Sequence, residues 1–190
     1  MAVGRKLGIT VGAICALLFS GCASVLPSNQ NRTFTAWSTF EEAKKAYDSI
    51  IIGRTDFKAL TKLGFDPFRT PNVRRLTYLD VIKIFMPNPT IGIERLDNGV
   101  RRCIEERDNC YAIEAYPRYR KKRRYGNAAL DLLNFRKETE VSGWEFRAVV
   151  VLVDDVVVYK IWSGVPIFLE HGTRKNPLGP IEGARDFLLD

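Results

Sequence analysis

The 190-residue chain has one histidine, His171, two methionines and four cysteines. A single histidine excludes His-rich metal sites and His-pair chemistry. No apolar run reaches the roughly 18–20 residues that a membrane-spanning helix needs. Glycine (14) and proline (9) stand near average use, which excludes collagen-like and low-complexity chains. With 46% apolar and 27% charged residues, the chain is not wholly disordered. The G-x-S-x-G elbow of a serine hydrolase and a phosphate-cradling glycine loop are both missing. The expectation is a non-enzyme with no catalytic residue, no metal site and no cofactor.

What is present begins with an address. Arg5 and Lys6 precede an apolar stretch of 13 residues, Leu7 to Phe19, and then Ser20, Gly21 and Cys22. This is the order of a secretory signal: charged, apolar but too short to span, then small residues. The ending FSGC resembles the bacterial lipobox, with Phe19 where Leu is usual. The resemblance implies a signal peptide over 1–21 and acylation of Cys22, with Ala23 directing the protein to the outer membrane, facing the periplasm. Residues 22–36 are polar after the lipidated cysteine and read as a tether.

Export accounts for the cysteines. Cys15 leaves with the signal and Cys22 carries lipid, so Cys103 and Cys110 remain in an oxidising compartment. They read as a disulfide, with two free thiols as the other reading. Closing the loop between them stabilises by about 2–3 kcal/mol on the loop-entropy model.

Two helices open the folded part. Thr39 with Glu42 has the form of a capping box, and Phe40, Ala43, Ala46, Tyr47 and Ile50 recur at helical spacing, predicting a helix over 40–51. Gly53 breaks it. Thr55 is placed to cap a second helix, Asp56 to Leu63, which Gly64 ends. Thr77 and Asp80 start a further stripe of Leu79, Ile82, Phe85 and Met86, read as helix in preference to strand. Residues 97–106 read as a short helix.

After Cys110 the period turns toward two. Strands are expected over 110–116, 127–137, 144–153 and 156–162, with Asp154 and Asp155 as a hairpin turn. One hairpin face, with Phe146, Ala148, Val150 and Leu152, is continuously apolar and must be core. The other carries Val149, Val151 and Val158, which are either covered by another segment or exposed to bind a partner. The fold class is therefore α+β: a helix pair on an antiparallel four-stranded sheet, an inserted helical segment, a domain over 37–165 and an irregular tail over 166–190.

The net charge of +7 has a local origin. Arg118, Arg120, Lys121, Lys122, Arg123 and Arg124, with Arg5 and Lys6, supply more than all of it. The segment reads as a loop or strand edge, either simply solvated or binding anions such as lipid phosphate, lipopolysaccharide or acidic polysaccharide. Nucleic acid is not a partner in an exported protein.

The stretch YDSIIIGRTDFKALTKLGFDP resembles the helix-pair signature of small outer-membrane lipoproteins of the SmpA/OmlA type, through Ile50, Gly53, Thr55, Leu60, Leu63, Gly64 and Pro67. The resemblance covers residues 40–67 and loosely the strands at 127–162. It departs at Phe65-Asp66, in about 40 inserted residues and in the cysteine pair. It implies a β-lactamase-inhibitor-protein-like fold and an accessory protein of barrel assembly that acts by binding an envelope protein partner. Presentation of a sheet face to a hydrolase, as an inhibitor, is a further reading on fold analogy alone.

Overall fold

The computed structural model describes residues 26–88 and 90–180. The expected signal peptide over 1–21 and the expected acylation site, Cys22, lie outside the described residues. Among the described residues the fold is α+β, with six antiparallel strands and five α-helices. The strands are β1 (Ser28–Arg32), β2 (Val73–Thr77), β3 (Cys110–Ala115), β4 (Arg118–Tyr125), β5 (Arg136–Val153) and β6 (Val156–Lys175). The helices are α1 (Phe40–Asp48), α2 (Phe57–Lys62), α3 (Tyr78–Phe85), α4 (Asn98–Glu106) and α5 (Ala128–Leu132). Sheet order is β1-β4-β5-β3-β2, with β6 also on β5.

The chain divides into two compact units. The smaller comprises the described parts of Met1–Gln30, Lys121–Ser142 and Leu169–Asp190; the larger comprises Asn31–Arg120 and Gly143–Phe168. Strands β1, β4, β5 and β6 contribute residues to both.

The larger unit is layered because its central strands are apolar on both faces. Strand β3 pairs with β2 (Val73 opposite Ala115) and with β5 (Cys110 opposite Val153). On one face Ile113, Ala115, Phe146, Ala148, Val150 and Leu152 are buried with Phe40, Ala43, Tyr47 and Leu60 of α1 and α2. On the other, Leu76, Cys110, Ala112, Val149, Val151 and Val153 are buried with Val81 of α3 and with Val100 and Cys103 of α4. A sheet buried on both sides needs near-continuous apolar strands, and the run AVVVLV supplies them.

The caps explain where the helices begin. Thr39 Oγ1 accepts from the Glu42 N–H, while Glu42 Oε2 accepts from the Ser38 N–H. Asp56, not Thr55, caps α2 by accepting from the Ala59 N–H; Thr55 is buried and accepts from the Ile51 N–H instead. Thr77 and Asp80 form a full capping box on α3. Helix α1 ends at Asp48 rather than at residue 51. Lys160 Nζ donates to the carbonyls of Tyr47 and Ile50 there, placing a cation at the helix C-terminus. The two sulfurs of Cys103 and Cys110 are at bonding distance, with Cα atoms 5.0 Å apart, and tie α4 to β3.

Four expectations are corrected. Among the described residues the sheet has six strands rather than four, because β1, β2 and β4, whose largely polar sequences concealed them, are part of it. Part of the expected tether, Ser28–Arg32, is strand β1. Residues 127–137 do not form one strand: the Asn127 side chain accepts from the N–H groups of Ala129 and Leu130 and starts α5. The tail is not irregular from residue 166, because β6 continues to Lys175. Gly164, which suggested a break, allows close strand approach. A Cβ on Gly164 would strike the Glu145 carbonyl oxygen.

The hairpin turn falls on Asp154 and Asp155, both left-handed (φ 49° and 63°), a conformation that aspartate tolerates better than most residues. Asp155 Oδ1 accepts from the Tyr111 hydroxyl at 2.5 Å. Burial, then this hydrogen bond and the Asp155 charge, hold the Tyr111 phenol well above the ordinary tyrosine range. Burial also pushes Tyr47 up to about 12, and it lowers Lys160. A raised phenol contributes stability that is complete below about pH 10, the unfolded value, and is lost as pH rises through the folded value. Lys160 acts in the opposite sense over its own window below the ordinary lysine range, so alkaline destabilisation is a tyrosine effect. Tyr111→Phe is expected to cost about 1 kcal/mol at neutral pH. It should also make the fall in stability above about pH 10 less steep, as measured by urea unfolding across pH.

Candidate functional site

The basic segment is strand β4 rather than a loop, and its six cations are divided between the two units. Arg118 and Arg120 belong to the larger unit. Their guanidiniums stack on Tyr116 at 5.7 Å and on Phe168 at 5.5 Å. Lys121, Lys122, Arg123 and Arg124 belong to the smaller unit. There Arg123 pairs with Glu140 at 3.3 Å and Arg124 with Asp131 at 3.0 Å, where Asp131 is only 3% exposed. Two of the six are thus committed to structural pairs, because neighbouring elements carry carboxylates at matching positions.

Within the smaller unit, Lys122, Arg124, Lys137 and Arg174, with Glu170, line an open cleft of about 500 Å³. Three strands supply these residues: β4, β5 and β6. Among the described residues, neither Lys122 nor Lys137 has a carboxylate partner. Arg174 Nε donates to Asn176 Oδ1. The Tyr125 hydroxyl lies 3.5 Å from His171 Nδ1 and the two rings meet edge to face. Lys137 and Arg174 escaped the sequence reading because neither sits in a charge run. Only strand pairing brings them beside Lys122.

The larger unit has its own polar cleft of about 620 Å³, lined by Asn72, Arg74, Glu114, Tyr116, Arg118 and Arg147 among others. Its centre is Glu114, 4% exposed. Arg74 Nε donates to Glu114 Oε2 at 2.5 Å, and Arg147 Nε donates to Oε1 at 2.7 Å. Register explains the trio: Arg74 of β2 stands opposite Glu114, and Glu114 stands opposite Val149, two residues from Arg147 on β5. A buried carboxylate held by two arginines is satisfied where it lies. The cleft offers donor groups but no His or Cys beside its Ser163. Each of these three residues is unremarkable in the sequence, and strand register was the missing signal.

Val149, Val151 and Val158 are not a free partner-binding surface. Val149 and Val151 are buried and Val158 half-buried, packed in the cluster that α3 and α4 cover. The helices explain the burial: their apolar stripes require a sheet face, and this face was otherwise bare. Cys103 and Cys110 lie in the same cluster. Among the described residues, no group of three or more His, Cys, Asp or Glu side chains is placed to hold a metal ion. No described helix is long and apolar enough to cross a membrane.

Removing the Glu114 carboxylate leaves Arg74 and Arg147 close together and uncompensated. Both arginines are partly solvated, which tempers the effect. Glu114→Ala is expected to destabilise the chain by about 2 kcal/mol, whereas Arg74→Ala should cost less than about 1 kcal/mol. Denaturant midpoints of the two variants check the order. No family model, curated protein or solved structure matches the chain.

Proposed function

We propose that this chain is a lipid-anchored accessory protein of the outer membrane, facing the periplasm, that acts by binding an envelope protein partner rather than by catalysis. Its signal-like N-terminus ending at Cys22 supports the anchor. The residues Ile50, Gly53, Thr55, Leu60, Leu63, Gly64 and Pro67 support the likeness to SmpA/OmlA-type lipoproteins, whose helix pair on a sheet would correspond to α1 and α2.

The observation that carries partner binding is the edge of β6 in the larger unit. Near the hairpin that edge is closed: the Val157 N–H donates to the Thr55 carbonyl, and its carbonyl accepts from the Gly53 N–H. Beyond Lys160, β6 pairs only with β5 among the described residues. The segment IWSGVPIF (161–168) carries no charge, and Ile161, Trp162, Val165 and Ile167 are exposed, Ile167 by 80%. Such edges are normally blunted by lysines or short strands; here only Pro166 interrupts the donors. An extended strand from a partner would find main-chain groups to pair with and apolar side chains on either side. Trp162, stacked on Phe146 at 5.8 Å, anchors the edge to the core.

Two measurements test the reading. Mass spectrometry of the native protein should find a chain that begins at an acylated Cys22; a chain retaining residues 1–21 without lipid overturns the anchor. Pull-down from detergent-solubilised membranes should recover a stoichiometric envelope protein. Ile167→Lys, at an exposed position, should lower that recovery about tenfold or more with unfolding unchanged. Recovery of a free monomer, or an unaffected variant, overturns partner binding through this edge.

A further inference from the structure

The smaller unit carries a feature that protein binding through β6 does not use. Its described residues include eight Lys and Arg (121–124, 136, 137, 174 and 175) against four carboxylates. Three of those carboxylates are already held by arginines: Asp131 by Arg124, Glu138 by Arg136 and Glu140 by Arg123. Among the described residues of this unit, Glu170 is thus the one carboxylate not already held, against Lys121, Lys122, Lys137, Arg174 and Lys175. The same unit carries exposed apolar side chains. Helix α5 and its end leave Leu132 70% exposed and Leu133 52% exposed, with Leu130 and Phe135 also exposed.

The path of the chain places both features beside the anchor. The Pro27 carbonyl accepts from the Arg124 N–H, so the entering chain is fixed on the end of β4. Arg124 in turn holds Asp131 of α5. Only four residues lie between Cys22 and Pro27, whose Cα atoms are therefore at most about 18 Å apart. A lipid on Cys22 would thus hold Pro27, and the end of β4 bonded to it, within about two screening lengths of the headgroups.

We infer that the smaller unit docks on the surface of the leaflet that holds the anchor. The α5 leucines enter the boundary of the acyl region, and Lys122, Lys137 and Arg174 meet the phosphates of anionic lipid. In the cell this rests on the anchored reading above. The pairing of exposed leucines with unpaired cations is what a second, reversible membrane signal requires alongside an acyl chain.

The test uses the chain from residue 22 onward carrying Cys22→Ser, which holds every described residue and no acyl group. Its outcome is therefore independent of whether Cys22 is acylated. Co-sedimentation is measured with vesicles of phosphatidylcholine alone and with one third phosphatidylserine. The expected result is binding to the anionic vesicles that weakens between about 0.1 M and about 0.5 M salt. Lys122→Gln with Lys137→Gln should weaken it on the order of tenfold. Leu132→Ser, at an exposed site, should weaken it with an unchanged circular dichroism spectrum, while inorganic phosphate should not compete. Equal binding to both vesicles, no binding, unaffected variants or displacement by inorganic phosphate would each overturn the inference, the last by assigning a phosphate pocket instead of a surface.

Discussion

Double-sided burial of β3 and β5 is the constraint from which the larger unit follows. Six consecutive apolar residues, Ala148 to Val153, send alternate side chains to opposite faces, and neither face can stay in water. One face takes α1 and α2; the other requires α3 and α4. The segment from α3 to α4 is therefore a second wall of the fold. Where the valines end, the second face turns polar, and the trio of Arg74, Glu114 and Arg147 begins there.

Much of this was legible from residue order. Thr77 with Asp80, the apolar spacing of 40–50 and the run around Asp154 each gave a local signal that tertiary structure did not override. What the sequence hid was pairing between distant segments. Strands β1 and β2 are short and largely polar, so nothing local separates them from loops. Residues 163–175 contain Gly164, Pro166 and Gly172, which suggest irregular chain. In β6 the first of these serves close contact with β5 instead. Residues 128–133 have the same leucine content a strand could have, and only the Asn127 cap decides for helix.

The candidate surfaces show the same division. A charge run is easy to see, but alternation along a strand and local carboxylates sort its members into different roles. Arg123 and Arg124 serve packing, Arg118 and Arg120 lie over aromatic rings, and Lys122 acquires neighbours from β5 and β6. The valines show the converse: an apolar stripe predicts burial well and says nothing about what does the burying.

The tie between Cys103 and Cys110 joins α4 to β3 at the rim of the second wall. Thiols stay reduced where proteins are made and oxidise where they are secreted. A copy with reduced thiols lacks the tie, and its second layer is held by packing alone. Oxidising surroundings therefore fasten α4 to the sheet, and reducing ones leave it to its apolar contacts.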